Sequence, residues 1–124
     1  MDKIKPLVYI ASPLSGDVEQ NLEFARKACR YAIEQDVAPF APHLLYTQML
    51  DDSSPAERQL GVEMGNQMLA LCDELWLCGD RLSAGMADEK ALAEQLGIPV
   101  HQINAEDILE VDFSATKGMG MLMG

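Results

Sequence analysis

Short apolar runs alternate with amphipathic stripes along the chain, and this alternation predicts an α/β fold. The runs that predict strands are LVYIAS (residues 7–12), VAPFAP (37–42), ELWLCG (74–79) and PVHQIN (99–104). Pro39 lacks a backbone donor and therefore indicates that the second strand lies at an edge of the sheet. LEVDF (109–113) is a candidate fifth strand, and a short helix is predicted before it over 105–108.

Helices with recognisable starts and stops connect these strands. Asp17 is a candidate N-cap, with Gln20 as its capping-box partner, for a helix that ends near residue 35. Pro55 suits the first turn of a helix that ends near residue 71, and Gly97 is a candidate C-cap for the helix that follows residue 82. The pattern predicts a flavodoxin-like or Rossmann-like three-layer domain, with helices on both faces of a parallel sheet of four to five strands.

One domain accounts for the whole chain, 1–124. Its predicted core runs over about 7–113, and the Met- and Gly-rich segment 114–124 is predicted to be a flexible tail. Adaptable methionines in this tail suit a segment that folds over an apolar surface, although a frayed terminus explains the composition equally well.

The apolar stripes of the last two long helices indicate which sides pack against the sheet. In the helix that starts at Pro55 the predicted inward residues are Leu60, Met64, Met68 and Leu71. In the next helix the stripe comprises Gly85, Met86, Leu92, Ala93 and Leu96, whereas Asp88 falls on the outward side. Glu89 lies in the middle of this stripe. Because an isolated buried carboxylate is costly, Glu89 is a candidate functional residue.

The chain is strongly acidic, with a net charge of −11 from 9 basic and 20 acidic residues. Such a field repels polyanions, so a nucleic-acid polymer is not the expected partner. No apolar run approaches the roughly 20 residues of a membrane span, and the first residues do not form a signal peptide. Cys29, Cys72 and Cys78 form no CxxC pair, which favours structural thiols in a reducing cytoplasm.

Ligands of such folds bind at the carboxyl ends of the strands, and this geometry selects the candidate residues. The candidates after the first three strands are Ser12, Ser15, Gly16, Asn21, His43, Asp80, Ser83, Gly85 and Glu89, with Met86 beside them in the stripe of Glu89. Asn21, like Glu89, is a polar residue that lies inside the apolar stripe of its helix. Either both side chains are satisfied by backbone groups or they mark a site. Asp73 precedes its strand and is interpreted as structural.

A buried carboxylate at this edge is open to three interpretations: a metal ligand, a general base or a nucleophile. Two histidines and no pair of acids at ligand spacing give a metal little support, so no metal or cofactor is expected. A GxSxG elbow, a Walker loop and a dinucleotide fingerprint are also missing. A single acid beside a helix N-terminus fits attack on the anomeric carbon of a sugar.

Three segments, VYIASPLSG (8–16), APHLL (41–45) and LSAGMADE (82–89), together resemble the nucleoside 2-deoxyribosyltransferase-like superfamily. This superfamily includes the deoxyribosyltransferases of nucleoside salvage, the 2′-deoxynucleoside 5′-monophosphate N-glycosidases and many small phage and bacterial members. The resemblance spans about residues 8–100. It implies a five-stranded flavodoxin-like sheet, a covalent deoxyribosyl–enzyme intermediate, and oligomers in which a neighbouring subunit completes the site.

The resemblance also assigns roles to residues of this chain. Glu89, four residues after Gly85, corresponds to the family nucleophile, and Ser83 corresponds to the serine that helps to hold a 5′-phosphate in the glycosidases. Tyr9 matches the family tyrosine of the first strand. The loop over residues 12–16, which includes Pro13, matches the loop beneath the sugar and phosphate.

One departure from the family concerns the acid that protonates the leaving base. Family enzymes carry an aspartate in the helix before the third strand, where this chain reads GVEMGNQ (61–67), and Glu63 is the nearest acid.

The leading hypothesis is an enzyme that cleaves or transfers the N-glycosidic bond of a (deoxy)nucleoside or nucleoside 5′-monophosphate. The alternative is a non-catalytic nucleotide-binding sensor or sequestering module. The glycines of GVEMG (61–65) permit close helix approach, either within the chain or between subunits. Together with the oligomers of the resembled family, they favour a homodimer or larger assembly.

Overall fold

The computed structural model describes residues 4–111, which form a parallel sheet with helices on both of its faces. The strands are β1 (Leu7–Ala11), β2 (Ala38–Phe40), β3 (Glu74–Cys78) and β4 (Val100–Ile103). The helices are α1 (Val18–Glu34), α2 (Pro42–Leu45), α3 (Pro55–Leu69), α4 (Ala84–Leu96) and α5 (Ala105–Leu109), and a 3-10 turn (Tyr46–Gln48) follows α2. The predicted α/β fold class is confirmed.

The sheet has the strand order β2-β1-β3-β4, and each neighbouring pair is parallel. The chain leaves β1 towards β2 on one side and leaves β3 towards β4 on the other. A crevice therefore opens at the carboxyl ends of β1 and β3, where ligands bind in open α/β sheets. β2, which contains Pro39, lies at an edge as predicted.

The predicted fifth strand over 109–113 is wrong for the part of it that the structure describes. Leu109 is the last residue of α5, Glu110 caps that helix, and Val111 is not in a strand. The short helix expected before it is present, because Asn104 begins a helical turn that continues past residue 108. Residues 112–124, which contain the tail and the predictions made for it, lie outside the described residues.

Two apolar layers, one on each face of the sheet, hold the helices in place. On one face Ala28 and Ala32 of α1 and Ile108 of α5 pack against the sheet. On the other face Leu69 of α3, with Met86 and Ala93 of α4, packs against it. The small alanines let α1 approach the strands closely. Helices thus cover both faces of the sheet, as the alternation of apolar runs and amphipathic stripes predicts.

The structure confirms the two predicted caps, Asp17 and Gly97, and adds Ser54 and Ser83. The side chains of Asp17, Ser54 and Ser83 accept hydrogen bonds from backbone N–H groups in the first turns of α1, α3 and α4. Gly97 ends α4 with φ 74°, a left-handed conformation that glycine adopts without strain. Asp73 is structural as interpreted, because its carboxylate accepts the Leu7 N–H at 2.8 Å.

The predicted inward face of α3 is partly wrong. Leu60 and Leu71 are exposed by 45% and 66%, whereas Gly65 and Leu69 are buried. The helix is rotated so that its glycines face the chain interior. In α4, Met86 and Ala93 are buried as predicted, but Gly85 in its first turn is exposed and Leu96, its last residue, is exposed by 48%. No helix within residues 4–111 has both the length and the apolar character needed to cross a membrane.

Candidate functional site

A pocket of about 280 Å³ opens at the carboxyl ends of β1 and β3. Its walls come from the end of β1, from α2 and the 3-10 turn, from α3 and from the first turns of α4. Of the sequence-predicted site residues it brings together Tyr9, His43, Ser83, Gly85, Met86 and Glu89. These residues come from three separate segments of the chain, and a small pocket with a few polar groups is the usual form of a small-molecule site.

Glu89 lies on α4 between the buried residues Met86 and Ala93, one turn from each. It is partly buried, and its carboxylate accepts a hydrogen bond from the Tyr9 hydroxyl. Burial raises the pKa of Glu89 to about 7, the Tyr9 hydrogen bond works in the opposite direction, and the neighbouring Asp88 raises the pKa further. The Glu89 carboxyl group therefore titrates near neutral pH rather than in the usual acidic range.

Tyr9 is enclosed in the middle of β1 and is 2% exposed. Burial, followed by the nearby Glu89 charge, raises its pKa above the usual range for a phenol, so Tyr9 keeps its proton and acts as a donor. A Cβ atom at Gly65 would lie 3.1 Å from the Tyr9 hydroxyl oxygen. Gly65 of α3 therefore leaves the space that this hydroxyl occupies.

His43 follows β2 and lies in the pocket wall on α2, partly buried. Burial lowers its pKa, an effect that a hydrogen bond with the Ser12 backbone and the charge of Asp52 oppose. The imidazole is consequently neutral at pH 7 and binds the loop after β1. The Ser12 hydroxyl is 1% exposed and has no hydrogen-bond partner among the described residues, and Ser12 lines neither of the two cavities described here.

The start of α4 contributes Ser83, Gly85 and Met86 to the pocket wall, and Glu89 follows them along the helix. The Ser83 hydroxyl accepts the Met86 N–H at 3.2 Å, so this serine is the N-cap that holds the first turn of α4. The cap is part of the reason that Glu89, which follows within the second turn, has a defined position.

Five other candidates lie away from Glu89, around a second and more open depression: Pro13, Ser15, Gly16, Asn21 and Asp80. The Asn21 amide donates to the carbonyl oxygens of Leu14 and Ser15, both at 2.9 Å. Backbone groups therefore satisfy this partly exposed side chain, which was one of the two interpretations. The Asp80 carboxylate accepts the Ala105 N–H at 3.2 Å, at the start of α5.

Glu63, the candidate acid for the leaving base, does not line the pocket. It is exposed on α3, where Gln59 donates to its carboxylate at 3.3 Å. The pocket side of α3 carries Gly61 and Gly65, and a residue two positions after Gly61 is rotated by about 200° around the helix axis. The helical geometry thus turns Glu63 away from Glu89.

The two glycines of GVEMG also correct the argument for an assembly. A Cβ atom at Gly61 would lie 3.4 Å from Leu50, and the one at Gly65 would meet Tyr9. Both glycines thus face the interior of their own chain rather than another subunit. These contacts correspond to packing within one chain and give a homodimer no support, and the oligomeric state stays a prediction.

Several pocket residues were not predicted from the sequence: Tyr46, Asp52, Glu57, Arg58, Asn66 and Asp88. Asp88, expected to face outward, is exposed to solvent but also borders the pocket. Asp52, Glu57 and Arg58 belong to the loop before α3 and its first turn, which fold back to the carboxyl edge of the sheet. Among residues 4–111, no three His, Cys, Asp or Glu side chains converge in a way that could hold a metal ion.

Two solved structures share this fold. A 2-deoxyribosyltransferase from Bacillus psychrosaccharolyticus superposes with a TM-score of 0.66 at 18% identity, over 88% of this chain and 94% of that one. A 2-desoxiribosyltransferase from Leishmania mexicana superposes with a TM-score of 0.58 at 17% identity, over 80% of this chain and 64% of that one. At these identities the likeness establishes the fold.

The sequence itself identifies a family. A family model described as a domain of unknown function, DUF7768, matches residues 6–103. The chain therefore belongs to the DUF7768 family. No curated protein matches the sequence.

Proposed function

We propose that this protein cleaves or transfers the N-glycosidic bond of a (deoxy)nucleoside or nucleoside 5′-monophosphate, with Glu89 as the nucleophile. The observation that supports this function best is the Glu89 carboxylate, which lines a small-molecule pocket and accepts a hydrogen bond from the buried Tyr9 hydroxyl. The structural neighbours whose names describe them as deoxyribosyltransferases support the same coarse activity.

The proposed chemistry is a double displacement at the anomeric carbon. A Glu89 oxygen bonds to C1′ as the bond from C1′ to the base nitrogen breaks, which gives a glycosyl–enzyme ester. The base leaves with the electron pair of that bond and takes up one proton, which the attacking water or second base gives back to solvent in the next step. Water, or a second base, then attacks C1′ and releases the carboxylate. Burial keeps Glu89 weakly hydrated and therefore reactive. The Tyr9 hydroxyl holds one carboxylate oxygen in a fixed position through its hydrogen bond.

The test is base release from a panel of nucleosides and nucleoside 5′-monophosphates, followed by chromatography, with wild type and Glu89→Gln. Glutamine keeps the shape of the side chain but supplies no anionic oxygen. We expect turnover to fall by about three or more orders of magnitude in Glu89→Gln, in line with the loss of a covalent nucleophile. Glu94→Gln, an exposed change on the same helix, is the matched control and should retain turnover.

Calorimetry on the same preparations separates this function from a sensor or sequestering role. Ligand binding by Glu89→Gln without turnover supports the enzyme, provided that the wild type releases base. Binding by the wild type with no base release from any compound would instead identify a non-catalytic nucleotide-binding module.

We also propose that the protein acts in the cytoplasm as a homodimer or larger assembly. Cys29, Cys72 and Cys78 are free thiols, as suits a reducing compartment. Leu60 and Val62 on α3 are exposed by 45% and 49%, and Val62 also borders the pocket, so a neighbouring subunit there would cover apolar surface beside the site. A monomeric mass by light scattering at micromolar concentration would contradict the assembly.

A further inference from the structure

We propose that the pocket selects nucleosides whose base carries a fixed positive charge, such as an N7-alkylated purine or a pyridinium base. Neutral nucleosides and nucleoside 5′-monophosphates would be poorer substrates. This inference rests on the proposed function, because it requires Glu89 to act at C1′. Two independent features carry it: the balance of charge around the pocket, and the groups available to protonate a leaving base.

Acidic side chains outnumber cationic ones around the pocket. Asp52, Glu57 and Asp88 line it together with Glu89, whereas Arg58 is the single Lys or Arg among its lining residues in the described part of the chain. The Arg58 guanidinium lies 3.7 Å from the Asp52 carboxylate, which offsets its charge. The net field at the mouth of the pocket therefore attracts a cation and repels an anion.

A neutral base needs a proton as it leaves, because the electron pair of the broken bond would otherwise make it an anion. His43 and Tyr9, which line the pocket with Glu89, are poor sources of that proton. Burial lowers the pKa of His43 and raises that of Tyr9, whose hydroxyl already donates to Glu89. Glu63, the acid expected from the sequence, is exposed on the far side of α3.

A cationic base removes this requirement. As a Glu89 oxygen bonds to C1′, the bond from C1′ to the base nitrogen breaks and its electron pair cancels the positive charge of the base. The base leaves as a neutral molecule with no proton transfer. Water then attacks C1′, the sugar is released, the carboxylate is restored and one proton passes to solvent.

Two of the backbone N–H groups in the first turn of α4 are already bound within the helix and are not open to a 5′-phosphate. The Met86 N–H is bound by the Ser83 hydroxyl and the Ala87 N–H by the Ser83 carbonyl. The remaining cation of the lining, Arg58, is paired with Asp52. Because the lining is mainly acidic and Arg58 is paired, the pocket favours a nucleoside over its monophosphate.

The experiment compares adenosine, its 5′-monophosphate, 7-methyladenosine and nicotinamide riboside, each also as its 2′-deoxy form. Base release by wild type is measured at pH 8, where Glu89 is mainly ionised, and spontaneous release in buffer and in Glu89→Gln is subtracted. We expect kcat/KM for the two cationic nucleosides to exceed that for adenosine by at least about tenfold, and release from the monophosphate to be slowest.

Asp52→Asn separates the effect of the pocket from the intrinsic reactivity of a cationic base. The change removes one carboxylate and leaves Arg58 unpaired, so kcat/KM for the cationic nucleosides should fall roughly three- to tenfold. The value for adenosine should fall less than this, because adenosine carries no positive charge for the lost carboxylate to attract, so the ratio of the two values should decrease. Glu94→Gln removes the same charge from an exposed position outside the pocket and should change neither value.

Each outcome has one meaning. A cationic preference that Asp52→Asn weakens supports the inference. Glu89-dependent release from adenosine or its monophosphate that equals or exceeds release from the cationic nucleosides overturns the inference and leaves the proposed function intact. The inference also fails if Asp52→Asn leaves the cationic preference unchanged. No Glu89-dependent release from any compound overturns both.

Discussion

The Tyr9 hydroxyl donates a hydrogen bond to the Glu89 carboxylate, although the two residues lie 80 positions apart in the chain. One comes from the central strand β1 and the other from the second turn of α4. The sheet brings them together because β1 and β3 are neighbours and α4 follows β3 directly. Burial, this hydrogen bond and the neighbouring Asp88 together set the pKa of the carboxylate, and four predictions follow from these three effects.

The first prediction concerns stability. Glu89 has a pKa of about 7 when folded and an ordinary value of 4.5, so the folded chain binds this proton more tightly than the unfolded chain. The free energy of unfolding therefore decreases as pH rises from about 4.5 to 7, by at most about 3 kcal/mol. In Glu89→Gln this side chain does not ionise, so the free energy of unfolding no longer decreases over this pH range for this reason. Urea unfolding should show the variant more stable than wild type at pH 8 and nearly equal to it at pH 5.

The same unfolding curves for Glu94→Gln provide the control, since that side chain is exposed and its loss should change stability little at either pH. If Glu89→Gln were less stable than wild type by the same amount at both pH values, Glu89 would be a structural carboxylate rather than a strained functional one.

The second prediction concerns the Tyr9 hydroxyl. Tyr9→Phe removes the hydrogen bond that lowers the pKa of Glu89, so that pKa should rise above 7. If Glu89 is the nucleophile, kcat/KM decreases at low pH as Glu89 becomes protonated, and this decrease, the acid limb of the pH profile, should shift to higher pH. Turnover at pH 7 should fall several-fold more than turnover at pH 8.5. Tyr31→Phe, a change in the aromatic pair with Trp76 on the other face of the sheet, should leave the profile in place.

The third prediction uses a neighbouring charge. Asp88 raises the pKa of Glu89, so Asp88→Asn should lower that pKa and move the acid limb to lower pH, opposite to Tyr9→Phe. The rate for a neutral nucleoside well above pH 7 should change little, because Glu89 is ionised there in both proteins. An acid limb that stays at the wild-type pH in both variants would mean that another group controls the profile.

The fourth prediction concerns the two glycines of α3. In Gly65→Ala the new methyl would lie 3.1 Å from the Tyr9 hydroxyl oxygen, so the hydroxyl must move and its hydrogen bond to Glu89 weakens. We expect a loss of turnover of about tenfold or more and an upward shift of the acid limb, measured as for Tyr9→Phe. The direction of the pH shift distinguishes displacement of Tyr9 from general damage to the pocket.

Gly61→Ala is the matched comparison for stability. Its methyl would lie 3.4 Å from a flexible Leu50 side chain, an ordinary contact. Alanine in the interior of a helix is favoured over glycine by roughly 0.5–1 kcal/mol. Gly61→Ala should therefore melt at the same temperature as wild type or higher, and Gly65→Ala should melt lower than Gly61→Ala.

Much of the fold could be predicted from the sequence because its signals act over a few residues. An apolar run such as residues 7–12 favours a strand buried on both faces, and Asp17 and Ser83 precede helices that their side chains cap. The alternation of these elements then permits few topologies. The position of Glu89 in an apolar stripe was likewise visible from helical periodicity, because the stripe and the carboxylate belong to one helix.

Only the tertiary structure decided which polar side chains share a pocket. The sequence placed Asn21 and Glu89 at the same edge of the sheet, yet Asn21 binds backbone carbonyls beside a separate depression. It gave no indication that Asp52 and Arg58 would border the pocket of Glu89. Distances between side chains of different elements depend on how each helix is rotated and positioned against the sheet. That packing is determined by all the side chains of the core together. The sequence alone thus determined the elements, their order and one carboxylate, whereas the hydroxyl that binds that carboxylate and the charges around it were decided by packing.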